Sequence, residues 1–252
     1  MNRFPWRLRV AWWLIDRVAP MMRSSQELYF ENLESVVQSR IRILDVGCGK
    51  EFLLNWLPSD KRRRWSASIL DRAEIFGIDP CFPSLRQNAS HLNACALADQ
   101  LPFAASSFDL VTANMVVEHI AEPDSLKEIL RVLKPGGVFL FHTPNLRAPQ
   151  IALSNLLPYS IKRMIIPMLE VGLKEDDLFL AHYRLNTKDA ITWVAGRSRY
   201  HIEFIQHVFS APLTQMLGPL VIFELLLTRA FSGERFASWR PALICLLRKP
   251  TA

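Results

Sequence analysis

Three aspartates stand where apolar runs break: Asp45, Asp79 and Asp99. Asp45 lies inside Ile41-Arg-Ile-Leu-Asp-Val-Gly-Cys-Gly49. Ile41, Ile43, Leu44 and Val46 suit a buried strand, which puts the Asp45 carboxylate at its carboxyl end. Gly47 and Gly49, with Cys48 between them, let the backbone turn sharply and let a ligand lie against the main chain. In open parallel sheets this end of the strands is where ligands bind. An acid ahead of Gly-x-Gly differs from the dinucleotide fingerprint, which wants Gly-x-Gly-x-x-Gly and an acid about 20 residues later. A nicotinamide-dependent oxidoreductase is disfavoured on that ground. His119, His142 and His182 are the candidate proton acceptors, and Glu118 stands ready to orient His119. Each of these acids and histidines also suits a plainer role, as a helix cap, a turn residue or a packed side chain.

These residues need elements to hold them. Strands are expected at 41–46, 75–78, 93–97, 108–113 and 138–142, each ending at or near a chemistry-bearing residue. Between them, Phe52, Leu53, Trp56 and Leu57 fit a helix, and 123–133 a second one with Leu126, Ile129, Leu130 and Leu133 on one face. Strand alternating with helix argues for a doubly wound α/β sheet. Residues 6–22 and 26–38 predict two helices ahead of the first strand. Residues 150–180, punctuated by Pro158 and Pro167, are too long for a plain loop and predict a helical insertion. Thr187 is the expected N-cap of a helix over 187–195. The last strands are expected at 201–209 and 242–247, with an apolar helix over 219–231 between them.

The ordered set resembles the class I S-adenosylmethionine (SAM) dependent methyltransferases, especially the small-molecule branch called type 11. It comprises Asp45-x-Gly47-x-Gly49, Asp79, Asp99-Gln100-x-Leu-Pro-Phe, Phe108-Asp-Leu-Val and Leu133-Lys-Pro-Gly-Gly. The resemblance covers roughly residues 41–145. It implies a Rossmann-like, seven-stranded, mostly parallel sheet with the last strand antiparallel and helices on both faces. That gives an N-terminal helical cap over 1–40 and a SAM-dependent domain over 41–252, with the insertion at 150–180. It implies SAM as cofactor, along Asp45, Gly47, Cys48, Gly49, Asp79, Pro80, Asp99, Gln100, Asn114 and Met115. Asp79 would accept hydrogen bonds from both ribose hydroxyls, since a carboxylate offers two acceptor oxygens. Asp99 would accept from the adenine amine, the Gln100 N–H would donate to the ring, and Phe103 or Pro80 would cover its face. Asn114 and Met115 would lie near the reacting methyl. His182-Tyr-Arg184-Leu-Asn-Thr187 is similar to a His-x-Arg-x-x-Thr run in relatives of this branch, so His182 and Arg184 are expected at the acceptor.

Two departures stand out. Lys50-Glu51-Phe52 occupies the place of the family's usual third glycine, and the 34 residues from Asp45 to Asp79 contain a basic insertion over 59–74. Glu51 keeps open a non-catalytic binding module that has lost activity. The lead reading is methyl transfer to oxygen or carbon of a small-molecule, lipid-linked or glycan acceptor. Ala113-Asn-Met-Val lacks the Pro-Pro-aromatic run of base-amine enzymes, Pro80-Cys81 follows the wrong strand for cytosine-C5 chemistry, and no nucleic-acid partner is expected.

Half of the 252 residues are hydrophobic, enough for one large α/β domain. The net charge is +6, of which residues 1–23 and 228–252 carry +4 each, leaving −2 for the middle. Basic ends with Trp6, Trp12 and Trp13 beside arginines point to peripheral contact with an anionic membrane. The same composition suits a helix packed on the domain. Four cysteines, Cys48, Cys81, Cys95 and Cys245, show no metal-ligand or disulfide spacing, so no metal and a reducing, cytoplasmic setting are expected.

Overall fold

The computed structural model describes residues 6–20, 24–50, 69, 72–88, 92–120, 125–158, 160–161 and 181–251. The expected helix at 52–57, Glu51, Pro123, most of the 59–74 insertion and most of the 150–180 insertion lie outside them.

The chain divides into two compact units. One comprises 26–144, 181–206 and 243–252, and the other 1–25, 145–180 and 207–242. The second helix thus groups with the sheet rather than with the first helix.

Seven strands make one sheet: β1 Ile41–Val46, β2 Ala73–Asp79, β3 Leu92–Cys95, β4 Phe108–Asn114, β5 Leu133–Pro144, β6 His201–Val208 and β7 Ala242–Arg248. Their order is β3-β2-β1-β4-β5-β7-β6. The pairs β1–β2, β1–β4, β2–β3 and β4–β5 are parallel. The order reverses between β1 and β4, which marks the crevice where such sheets bind ligands. β7 runs against β5. Gly136, near the start of β5, donates to Lys249 O, and Asn145, just past its end, donates to Pro241 O. The antiparallel last strand read from the resemblance is therefore present.

The strand ladder begins five residues earlier in β5 than the apolar run at 138–142 predicts. Leu133 pairs with Phe108 and Val138 with Leu110, so Lys134-Pro-Gly-Gly137 bulges out of the ladder rather than ending a helix alone. Its Lys134 Nζ bonds both oxygens of Asp109 at 2.8 Å, and Asp109 also accepts the Arg42 N–H. Two residues of the family pattern thus tie β1, β4 and β5 at the end of the sheet away from the glycines.

Side chains alternate across each strand. Leu44, Val46, Phe76, Ile78, Val111, Ala113, Phe139 and Phe141 form one buried face with Leu126, Ile129 and Val132 of the helix Ser125–Val132. The other face carries Ile43 and Ile75 near the middle and polar residues toward the carboxyl ends. Among the described residues, the α-helices include α1 Trp6–Val18, α2 Ser25–Val36, α3 Phe82–Leu85, α4 Ser125–Val132, α5 Pro149–Leu156, α6 Lys188–Arg197 and α7 Val221–Ala230. Thr187 caps α6 as expected, its Oγ1 accepting the Ala190 N–H at 3.2 Å.

In the other unit, α1 and α7 pack through Ala11, Ala19, Val221 and Leu225, with Leu14, Ile15 and Val18 against them. On α1, Leu8 and Ala11 are buried, and Trp6, Trp12 and Trp13 are exposed. Among the described residues no helix is long and apolar enough to cross a membrane.

Candidate active site

The loop after β1 is folded back on β2. The Gly47 and Cys48 N–H groups both donate to Ile78 O, at 2.8 and 3.0 Å. Gly47 and Gly49 have φ of +69° and +59°, a region where a side chain is strained. At Gly47 a Cβ would also lie 2.4 Å from Val116 Cγ2, whereas at Gly49 it would meet nothing within 4 Å among the described residues. Gly47 is a packing requirement. Among the described residues, none fills the space beside the Gly49 backbone.

Asp79, at the end of β2, is the clasp of this loop. Its Oδ2 accepts the Gly49 N–H at 2.9 Å and its Oδ1 the Cys81 N–H at 2.7 Å. Both oxygens thus already serve the main chain, and ribose hydroxyls would use their remaining lone pairs. Asn88 adds a second clasp, donating from Nδ2 to Cys48 O and Gly49 O. The Cys48 thiol is buried, and burial followed by Asp45 and Asp79 pushes its pKa up to about 12. Cys48 therefore contributes backbone, not a nucleophile. Pro80 is exposed next to Asp79.

Sheet register builds the next group. Asp45 pairs with Thr112 across β1 and β4, and Asn114 with His142 across β4 and β5. All four side chains fall on the α2 side of the sheet. Thr112 Oγ1 donates to Asp45 Oδ1 at 3.0 Å. Burial raises the Asp45 pKa to about 7, with Asp79 adding to the rise and Thr112 opposing it. Tyr29 of α2 stacks on His142 with ring centroids 5.8 Å apart. Its hydroxyl lies beside Thr112 and Ala113 without a well-formed bond. Gln26 Oε1 accepts from Asn114 Nδ2 at 2.9 Å. That leaves Asn114 Oδ1 to accept from His142 Nδ1 at 2.9 Å, so the network assigns the ring proton to Nδ1. Among the described residues His142 Nε2 is buried without a partner, and burial lowers the ring pKa to about 4. The expected role of His142 as a base is corrected accordingly: it is a neutral, buried ring that orients Asn114.

Met115 follows with φ +56°, its N–H donating to His142 O at 2.8 Å. A non-glycine residue held there is strained, and such strain persists where surrounding structure fixes it. Its side chain is exposed.

Glu118 lies buried in the short turn Val117–His119, and burial raises its pKa to about 7. Its Oε2 accepts from Thr143 Oγ1, which in turn accepts from Asn186 Nδ2 at 2.7 Å. The Glu118 carbonyl accepts the N–H groups of His182 and Tyr183 at 2.7 and 3.1 Å. Glu118 was expected to orient His119. Its carboxyl is engaged with Thr143, and its backbone pins the 182–184 segment. His182 and Arg184 are exposed on that segment, and His119 is half-buried.

Asp99 and Gln100 are exposed after β3. The Gln100 N–H closes a turn on Leu97 O at 3.2 Å, so the donor expected to face the adenine ring is already used. Phe103 packs edge-on against Phe108 and Phe76 at 4.9 and 6.1 Å, which turns it into the core edge instead of a ring cover. Arg131 of α4 holds this loop, donating to Phe103 O and Leu101 O while paired with Glu128.

The structure thus gathers Asp45, Gly47, Cys48, Gly49, Asp79 and Pro80 in one loop cluster. It sets Asn114, Met115 and His142 on the adjoining strand ends. Gln26, Tyr29, Asn88, Thr112 and Asn186 belong to the same arrangement without any sequence signal. Each is a single polar residue in an ordinary helix, loop or strand.

A glycine loop clasped by an acid from the second strand, with an acid of its own beneath it, defines a nucleoside-binding α/β domain. Residues 44–141 match the methyltransferase-domain family, and this part of the chain is similar to the class I SAM-dependent methyltransferases. SAM is the cofactor of that family. The chain is 27% identical over 179 residues to a malonyl-acyl-carrier-protein O-methyltransferase of Legionella pneumophila, covering 67% of this chain and 59% of that one. It is 31% identical over 129 residues to a probable S-adenosylmethionine-dependent methyltransferase of Mycolicibacterium smegmatis, covering 48% of each. The chain therefore spans about half to three-fifths of the length of these curated relatives. Its fold is similar to that of the 4+2 cyclase SpnF, with a TM-score of 0.55 and 20% identity over 90% of this chain and 82% of the other.

Proposed function

We propose that the chain transfers a methyl group from SAM to oxygen, or to carbon, of a small, carrier-linked, lipid-linked or glycan acceptor. The observation that carries this reading is the clasped loop, in which Asp79 fixes Gly49 while, among the described residues, none fills the space beside Gly49. That space suits the methionine portion, because a main chain without a side chain can lie against it. Asp45 lies buried beneath, where a cationic ammonium would favour its ionised form. Bound SAM supplies a methyl group on a sulfonium, already electrophilic. The chain's own residues then need to align two substrates and exclude water, an effect of up to about 7–11 kcal/mol.

Asn114 and Met115, at the end of β4, are assigned to positioning near the transfer. His182 and Arg184, on the segment whose His182 and Tyr183 N–H groups bond the Glu118 carbonyl, are assigned to the acceptor. A neutral His142 with a pKa near 4 is a poor proton acceptor. An acceptor that is already anionic needs none, and a carboxylate oxygen fits. Curated relatives named as O-methyltransferases of a malonyl carrier support oxygen over carbon. Peripheral attachment to an anionic membrane is part of this reading and would suit a lipid-linked acceptor.

The test is incubation of the purified chain with labelled SAM and matched panels of acyl-carrier, lipid-linked, sugar and free carboxylate acceptors. Label in a product, with the mass of one added methylene, supports transfer. SAM binding without turnover on any class would support the non-catalytic module instead.

A further inference from the structure

α7 departs from the pattern of a surface helix. Its outward residues at helical spacing are Phe223, Leu226, Leu227 and Ala230, continued at the preceding turn by Leu220. Phe223 is 66% and Leu227 62% exposed. This stripe holds no polar side chain, while the opposite side buries Val221 and Leu225 against α1. Contiguous apolar exposure on this scale marks a binding surface.

α1, packed on α7, shows a complementary composition on its own outer face. Trp6, Arg9, Trp13 and Arg17 fall within one arc of the helix, opposite Leu8, Ala11 and Ile15. The Arg17 guanidinium lies 4.3 Å from the Trp13 ring centre, and Arg7 5.8 Å from that of Trp6. Tryptophan rings with arginines over them place an apolar body beside a cation, the composition of headgroup depth. The described part of α1 carries Arg7, Arg9 and Arg17 against Asp16. Beyond α7, Arg235 stacks on Phe236, and Phe231, Phe236 and Trp239 form an aromatic cluster with ring centres 5.0 to 5.4 Å apart.

We infer that the α1–α7 pair is the membrane-docking surface of this protein, with the α7 stripe entering the acyl boundary and the α1 arginines meeting anionic phospholipid headgroups. An apolar stripe with no hydrogen-bonding group, beside tryptophans and a net positive charge, matches a bilayer interface on both counts. An acidic carrier protein would engage the arginines but leave the α7 stripe without a partner. The inference deepens the proposed peripheral attachment and does not depend on catalysis.

The experiment uses the full chain with vesicles of neutral phosphatidylcholine and vesicles containing phosphatidylglycerol. Flotation and quenching of tryptophan fluorescence by brominated acyl chains are the readouts. Wild type should float with anionic vesicles, release at high salt, and be quenched. Leu226→Ser with Leu227→Ser should lower the bound fraction at least tenfold, and Arg9→Gln with Arg17→Gln should remove the preference for anionic lipid. Unchanged SAM affinity in both double variants checks that they fold. Wild type remaining unbound would overturn both the attachment and this surface. Binding unaffected by the serine variant would overturn the surface alone. Two further results would also overturn it: a dimer that the serine variant dissociates, assigning the stripe to a second copy, or arginine-dependent capture of an acidic carrier protein without vesicle binding.

Discussion

Replacing Asp79 by asparagine tests the clasp without changing its shape. The native carboxylate accepts two backbone N–H groups, from Gly49 at 2.9 Å and Cys81 at 2.7 Å. Asparagine has one acceptor oxygen, and its amide NH2 must face the other donor. The retained bond falls from a charged to a neutral one, a loss of about 1 kcal/mol. The other leaves an N–H without a partner beside a buried residue, costing about 1–3 kcal/mol. The expected total is roughly 2–4 kcal/mol, and at about 2–4 °C per kcal/mol the melting temperature should fall by roughly 5–15 °C. Urea unfolding followed by circular dichroism measures it, with an unchanged slope showing that the native state is intact. SAM affinity, measured under conditions where the variant is folded, should weaken by roughly 10- to 150-fold, since the loop loosens and one of the two acceptor oxygens, with the charge, is lost. A destabilisation below about 0.5 kcal/mol would refute the clasp.

Gly47→Ala should cost more stability than Gly49→Ala. The first combines positive φ with a Cβ 2.4 Å from Val116, and the second has positive φ alone, worth about 1–2 kcal/mol; the order of the two melting temperatures checks it. Asp45 and Glu118 both have pKa values near 7, above the ordinary 3.8 and 4.5, because they are buried. The folded state therefore holds protons that the unfolded chain releases. Their contribution to stability is fully present below about pH 4 and is lost as pH rises through about 7, with a slope of up to about 1.4 kcal/mol per unit for each group. Asp45→Asn and Glu118→Gln should each flatten the melting profile between pH 5 and 7. SAM affinity should run the other way, weakening by up to about tenfold per unit below pH 7 as Asp45 takes up its proton, with Asp45→Asn flat. Thr187→Ala should cost about 1 kcal/mol through loss of the α6 cap.

The sequence was most informative where one residue type has one physical use. Gly47 and Gly49 required positive φ, and the apolar runs around them required buried strands. The reversed β7 came from the family resemblance, and the strand order came from the structure alone, since hydrophobic periodicity does not encode pairing. The start of β5 was misread because Lys134-Pro-Gly-Gly137 has turn composition but bulges within a ladder. Gln100 and Phe103 were misread for a different reason. Their types suit a ligand, but Leu97 and the Phe76–Phe108 edge compete for them inside the protein. His142 looked like a base because periodicity gives no depth, and depth is what holds its pKa near 4. Asn88, Gln26 and Asn186 were invisible because each acts across 39 to 88 residues of chain.

Calorimetric titration of the purified chain with SAM tests the central claim most directly. The account predicts saturable binding of one SAM per chain at micromolar concentration, displaced by the demethylated product and weakened in Asp79→Asn. Absence of saturable binding below millimolar SAM, in protein shown to be folded, would contradict it.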